Sequence, residues 1–523
     1  MNKLTLAALC ALLSGPALAE SPLADAIENG RREAALELIE QGADVNVAQG
    51  DGTTPLHWAA YRLDAELVER LLERGANANT ANRYGARPLS EAAKGANVAI
   101  VSALLEAGAE VDAANGDGET ALMVTGRTGS TEVAQRLIDA GAEVNAREAW
   151  RDQTALMWAA ESAHAELVAV LIAHGADVHA RAAANDWGSQ ITSEPRAQYR
   201  PTGGLTPLLY AARSGCVDCV TAILAAGENV NRPTPDGVTA LMLAIDNYEF
   251  DTAKALLDAG ADPRLSDWWG RTALYLAVDM NTYVPRESTV HARSKATTGL
   301  ELVRALLAAG VEVNPQLNFH RPGRGGNSAR FVDDLLTTGA TPLLRAAIMH
   351  DDDAMRALLA AGAGVDVPNV MGVTPFMAAA GVGVREPGFG ANRAPDLAGQ
   401  GIESEVIASL TILLAAGADV NAAIADTQSR TARIARPNTF VDRLGQTALH
   451  QVAGRGWPEV VAYLLEHGAN PALKDQLGRT ALDLATTPVQ GRPVPNSERI
   501  AELLRSAGAG RAVPARTAPA GAQ

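Results

Sequence analysis

The sequence predicts an all-α solenoid of paired antiparallel helices with projecting β-hairpin fingers, about twelve repeats long, three of them carrying long insertions. Three observations predict it. A four-residue mark headed by Thr, once by Arg, begins at positions 54, 87, 120 and 154, then at 206, 239, 272, 341, 374, 447 and 480. Each mark opens a helix of small residues, and a second helix with an apolar stripe follows and stops at Gly. The two terminal units lack part of the pattern, as end caps of a stacked array do. A chain of 523 residues would otherwise suggest several globular domains, but a period near 33 residues means units that stack instead.

The elements follow in order. Lys3, the apolar run Leu4 to Leu13, the breaker Gly15-Pro16 and the small residues Ala17-Leu18-Ala19 read as a secretory signal peptide over 1–19, cleaved between Ala19 and Glu20. The apolar run is far short of the ~20 residues that span a bilayer, and Leu9 before Cys10 is too large for a lipoprotein processing site. Residues 20–50 form the capping unit, since Pro22-Leu23-Ala24-Asp25 lacks the full mark. Regular repeats are expected over 51–185. Thr54 caps the first helix through its hydroxyl, Pro55 fits the first turn where no donor is missed, and Gly75 takes the left-handed conformation that ends the second helix. Ala59 and Ala60 let paired helices approach, while Leu67, Val68, Leu71 and Leu72 make the stripe that buries against the next unit. Thr-Pro-Leu-His at 54–57, the Ala pair at 59–60 and the Leu-Leu-x-x-Gly-Ala-Asn run from Leu71 resemble the ankyrin repeat, and the resemblance covers nearly the whole chain after residue 19.

Three steps break the period. Thr154 to Thr206 is 52 residues, Thr272 to Thr341 is 69 and Thr374 to Thr447 is 73. The first places an insertion at 186–204, after which repeats resume over 205–280. Residues 281–340 hold a repeat with two insertions, 341–380 further repeats, 381–446 another repeat with two insertions, 447–510 the last repeats with their cap, and 511–523 a disordered tail. Inserted chain holds Phe319, Phe331, Phe389 and Phe440 of the six phenylalanines, and rings of that size are expected to pack on the solenoid or on a partner.

Composition narrows the function. Hydrophobic residues are 47% and charged residues 20%, ordinary for a folded chain, and no segment after the leader is apolar for long enough to span a membrane. A net charge of −16, with five lysines among 44 basic residues, repels phosphate backbones and disfavours nucleic acid. Finger tips before the next mark carry Tyr84, Trp150-Arg151 and Trp268-Trp269, residue types that concentrate binding energy when a rigid surface exposes them. Two neighbouring indoles at one turn are expected not to face inward together, whereas Trp58 and Trp158 fall within the first helix and are expected in the core. Arg321 and Arg324 give the Gly-rich inserted loop at 321–326 a basic character suited to an acidic protein surface. With Phe319 and Phe389 they complete the candidate partner-binding set.

The remaining chemistry is sparse. Cys216-Val217-Asp218-Cys219 opens a second helix, a candidate disulfide in an oxidising compartment, although Cys219 takes a core position. His174 and His179 lack a third ligand nearby, and Asp351-Asp352-Asp353 reads as a solvated turn at a helix start. No phosphate-binding Gly-rich loop, H-E-x-x-H or G-x-S-x-G motif occurs. The expected protein is a monomeric, periplasmic or secreted scaffold without catalytic residues, cofactor or metal. It is expected to bind a protein partner through a concave finger and helix surface and its inserted loops, a use that the ankyrin resemblance implies. The alternative is a small-molecule-binding or thiol-redox protein that uses the Cys216/Cys219 pair or an insertion-walled pocket.

Overall fold

The computed structural model describes residues 21–185, 202–282, 296–318, 338–382, 402–425, 443–488 and 493–510, with the side chains of 509 and 510 left aside. The described residues divide into two compact units, the first holding 21–185 and 202–235, the second running from Asp236 onward. The leader, the centres of the insertions and the tail lie outside the described residues.

The first unit stacks helix pairs in chain order: α1 Pro22–Glu28 with α2 Arg32–Glu40, α3 Pro55–Tyr61 with α4 Ala65–Glu73, α5 Pro88–Lys94 with α6 Val98–Glu106, α7 Ala121–Thr128 with α8 Thr131–Asp139, α9 Ala155–Glu161 with α10 Ala165–Ala173, and α11 Pro207–Ser214 with α12 Val217–Ala225. The second unit repeats the plan: α13 Ala240–Asp246 with α14 Phe250–Asp258, α15 Ala273–Asn281 with α16 Gly299–Ala308, α17 Pro342–Ile348 with α18 Asp352–Ala360, α19 Pro375–Ala379 with α20 Ile402–Ala415, α21 Ala448–Arg455 with α22 Pro458–Glu466, and α23 Ala481–Thr486 with α24 Ser497–Gly510. In the 281–340 and 381–446 stretches the two paired helices are separated by a long span of chain.

The repeating mark is a set of local bonds. Thr54 Oγ1 accepts from the His57 amide and lies 2.7 Å from His57 Nδ1, while His57 Nε2 reaches the Ala86 carbonyl at 2.9 Å. A carbonyl only accepts, so the ring donates from Nε2, while Nδ1 accepts from the Thr54 amide; burial lowers the pKa of the ring. The His thus caps its own helix and ties it to the next finger. Thr447 and His450 repeat the arrangement with the Arg479 carbonyl. At the other end, Ala76 N bonds Leu71 O and Gly75 N bonds Leu72 O, a closure that needs the +83° φ of Gly75. Leu67, Val68 and Leu71 are buried between second helices, each burial contributing about 1.5–3 kcal/mol. Neighbouring units are also stitched at the surface: Asn46 donates to Gly75 O and accepts from Asn77 N, and Asn79, Asn145 and Asn421 make the same pair of bonds to the following unit.

Two expectations need correction. Among the described residues most fingers are tight turns; antiparallel pairing is limited to one two-stranded ladder, Ala184–Asn185 against Thr202–Gly203, bracketing the first insertion, and single bridges at Ser266–Thr272 and Ala423–Thr447. The reason is a competing acceptor at the base of each turn. Asn82 Oδ1 takes the amides of Tyr84 and Ala86, and Asn115, Asp267, Asn369 and Asp475 do the same two and four residues on. Those amides are then lost to any ladder. Second, the aspartates at 351–353 do stand at a helix start, as expected, but only Asp353 is exposed to solvent. Asp351 is buried, caps α18 by accepting from Ala354 N, and accepts from Asn281 Nδ2 at 2.7 Å. Asp352 accepts from the buried Ser409 hydroxyl of α20 at 2.7 Å, and that hydroxyl also meets His350 Nδ1 at 3.1 Å. A polar chain therefore links α15, α18 and α20 across the stretch where inserted chain separates paired helices. Arg345 and Asp279 add a wholly buried ion pair at 2.5 Å.

Candidate functional site

Of the expected contact residues, the structure exposes Tyr84 and Trp150 most, at 75% and 79% of their surface, both on fingers of the first unit. Arg151 is exposed beside Trp150. The Trp268-Trp269 pair divides: Trp268 is 40% exposed and Trp269 only 3%. Trp269 is thus corrected from contact residue to core residue. Its amide is held by Asp267 Oδ1, and its ring lies 5.0 Å from the buried Arg271 guanidinium, which Asp267 also pairs at 2.6 Å. Adjacent residues on a turn project in opposite directions, so one indole goes in and the other out. Phe319, Arg321, Arg324 and Phe389, with Phe331 and Phe440, lie outside the described residues.

The finger that carries Trp150 is built differently from its neighbours. The step from Thr120 to Thr154 is 34 residues, one more than the two steps before it, and the turn has Asp152 at φ +56°. Glu148 replaces the usual Asn or Asp at the base. Its longer side chain spans the extra residue: one carboxylate oxygen accepts from Trp150 N at 2.6 Å, the other from Arg151 N at 2.8 Å and Gln153 N at 3.0 Å. Three amides converge on a buried carboxylate, so the tip is fixed and Trp150 is displayed without loss of turn order.

A groove of about 390 Å³ opens beside this tip, its walls including Asp117, Glu119, Arg127, Trp150, Arg151 and Trp158. Trp158 forms the floor, buried as expected of a first-helix indole, with Nε1 donating to Gln153 Oε1 at 3.1 Å. Gln153 in turn donates to the Tyr210 hydroxyl at 2.7 Å, whose pKa burial raises, so that it stays protonated. Trp58, expected in the core, is half-buried and donates to Gln49 Oε1 at 2.7 Å. The Arg127 guanidinium covers Trp158 at 3.7 Å from its centroid and pairs with Glu119 at 3.1 Å. The groove combines apolar area, both signs of charge and rigid walls, which suits recognition of a side chain from another molecule. Glu148, Asp117 and Arg127 escape a reading by residue type; the 34-residue step, with Glu in place of Asn, is the signal that points to Glu148, and no comparable signal marks the other two.

The other candidates make local contacts within their own unit. Cys216 Sγ is bonded to Cys219 Sγ at the start of α12, with Cys219 fully buried in the register of Leu67. His174 caps the end of α10, and His179 lies 2.7 Å from the buried carboxylate of Glu228, which Arg232 approaches at 3.6 Å. Among the described residues no three His, Cys, Asp or Glu side chains stand close enough to hold a metal ion, and no helix is long and apolar enough to cross a membrane. In the second unit a groove of about 620 Å³ between α18 and α20 is lined mainly by Leu359, Ala408, Ile412 and Ala415, on the second-helix side away from the fingers.

Comparison with known proteins places this architecture. A family model described as "Ankyrin repeats (3 copies)" matches residues 23–115, 108–182, 190–267, 208–286 and 409–509. A curated relative, "Probable E3 ubiquitin-protein ligase XBOS34" of Oryza sativa subsp. japonica, is 34% identical over 133 residues, 25% of this chain and 19% of the relative. The chain therefore spans about a fifth of that relative's length. The ankyrin repeat domain of human ASB11 aligns over 47% of this chain and all of its own, with 26% identity and a TM-score of 0.39.

Proposed function

Since the chain belongs to the ankyrin-repeat family, we propose that it is a non-catalytic, monomeric scaffold of twelve units that binds a protein partner through its first-unit finger tips. The observation that carries this reading is the Trp150 finger. An indole is the residue type that concentrates binding energy at interfaces, and here one 79% exposed stands on a turn fixed by three bonds to one buried carboxylate. Rigid display of an aromatic tip reduces the ordering entropy lost on association. Tyr84 and Arg151 extend this surface within the same unit; in the second unit, separately, Trp268 and the loops that hold Phe319, Arg321, Arg324 and Phe389 are further candidate contacts. The composition of residues 1–19 supports export, with cleavage between Ala19 and Glu20, to a periplasmic or secreted location.

The test is affinity capture with the mature chain from the source organism's envelope fraction, comparing wild type with a Tyr84→Ala/Trp150→Ala variant. We expect the variant to lose its captured protein, at a cost on the order of 2 kcal/mol or more, about thirtyfold in Kd. Its melting temperature should be unchanged. Equal capture by both proteins overturns the assignment of the surface. N-terminal sequencing of the recovered protein should begin at Glu20, and a start at Met1 overturns the export reading.

A further inference from the structure

The first unit's finger groove has a chemistry of its own. Residues 1–185 and 202–235 hold 28 acidic and 16 basic side chains, so −12 of the chain's −16 formal charge belongs to this unit. Among the described residues the two most exposed aromatic side chains, Trp150 and Tyr84, stand on the same unit. Such a surface attracts cations over a distance and offers ring faces once they arrive.

The unit builds one arrangement twice from its own side chains. Arg127 covers the Trp158 ring and pairs with Glu119; Arg213 lies 5.0 Å from the Tyr210 centroid and pairs with Glu161. Each is a guanidinium between an aromatic face and a carboxylate. The geometry is favourable because a flat, weakly hydrated cation stacks on a ring while its edge donates to an acid. The groove holds the parts for a third. Trp150 and Asp117 both line it, on neighbouring fingers joined by the bond from Ala149 N to Asp117 O. Among the described residues no cation covers Trp150 and none pairs with the Asp117 carboxylate.

We infer that this groove receives an arginine side chain of a basic partner segment, seated between the Trp150 indole and the Asp117 carboxylate. The inference rests on the scaffold reading above and names the partner's chemistry: an extended, arginine-bearing stretch of protein. Arg151, also on the rim, opposes the incoming cation and sets a limit on affinity. Arginine is favoured over lysine because the ammonium neither stacks as a plane nor donates along an edge.

The test uses the full chain and the peptide acetyl-Gly-Arg-Gly-Arg-Gly-amide, with lysine and citrulline counterparts, titrated by calorimetry at low salt and at 0.15 M salt. The arginine peptide should bind, the lysine peptide several-fold more weakly, and the neutral citrulline peptide not measurably. Trp150→Ala should weaken arginine-peptide binding about tenfold, Asp117→Asn about fivefold, and Arg151→Gln should tighten it about threefold. All three positions are exposed at a finger tip, and the gain expected from Arg151→Gln is a result that misfolding would not produce. Glu33→Gln, an exposed acid on α2, serves as the control for general charge and should bind as wild type. Wild-type affinity in Trp150→Ala, or an equal loss in Glu33→Gln and Asp117→Asn, overturns the inference. If the peptide does not bind but partner capture still needs Trp150, the arginine site fails and the scaffold reading stands. If neither depends on Trp150, both fail.

Discussion

Lowering the pH from 7 to 5 should loosen the second unit through one side chain, His350. Its ordinary pKa of 6.5 is pushed down to about 4 by burial, against the opposing pull of Asp352. The folded ring is therefore neutral at pH 5, whereas the unfolded chain takes up a proton below 6.5. Between those values the unfolded state binds more protons, so the contribution to stability is complete above pH 6.5 and is lost as pH falls toward 4. At about 1.4 kcal/mol per unit the full effect is about 3 kcal/mol, of which about 2 kcal/mol falls between pH 7 and 5. A repeat array does not unfold in one step, so the readout must be local. Hydrogen exchange of amides in α18, corrected for the intrinsic pH dependence of exchange, reports the opening that His350 opposes. His350→Asn is the comparison, since asparagine tolerates the +52° φ at this position and does not titrate. Wild type should lose about 2 kcal/mol more protection than the variant over this interval. Parallel losses in the two proteins, or a His350 ring that titrates near 6.5 by NMR, would refute the reasoning.

Three further substitutions test the packing. Trp269→Ala should cost about 3–5 kcal/mol in urea unfolding of the second unit because the indole is buried, and Trp268→Ala less than about 1 kcal/mol; equal effects would reverse the assignment of the two rings. Asp279→Ala removes the counter-charge of a guanidinium 1% exposed and should cost about 3–5 kcal/mol, with most of it restored in an Asp279→Leu/Arg345→Met double variant; no restoration would mean that the charges matter beyond their mutual compensation. Glu148→Ala deprives three finger amides of their acceptor and should lower stability by about 1–3 kcal/mol, with a change in Trp150 fluorescence that Glu148→Gln produces only in part; an unaltered Trp150 signal would mean that the carboxylate does not hold the tip.

Much of the fold is legible in the sequence because its signals are short-range. Thr54, Pro55 and Gly75 act within one helix turn, and the Leu67, Val68 and Leu71 stripe follows from a 3.6-residue period, so their roles need no knowledge of neighbours. Steps of 52, 69 and 73 residues likewise place the inserted chain, since a stacked unit has no room to absorb it. What depends on side chains far apart is not legible. Arg345 stands at a first-helix position that a reading by type would turn to solvent, and Asp279, 66 residues earlier, supplies a buried counter-charge. Ser409 carries no mark of its role in joining α20 to Asp352 and His350. For the candidate site, residue type singles out Tyr84, Trp150 and Arg151, which are exposed, but does not decide which of Trp268 and Trp269 faces outward, because a turn presents both sides at once. Nor does it announce the finger braces, whose Asn, Asp and Glu look like ordinary loop polarity.

Those braces bear on how a binding protein of this kind changes over generations. When one side chain seats a turn by holding backbone amides, the identity of the residues displayed at the tip is free of the turn's own requirements. Arg83-Tyr84 and Gln476-Leu477 occupy equivalent tips over the same kind of seat. Glu148 shows that length is adjustable too, since one added methylene accommodates one added residue. A lineage, or a combinatorial library, can then explore new partners by rewriting two or three positions per unit, leaving the inherited stack beneath them untouched.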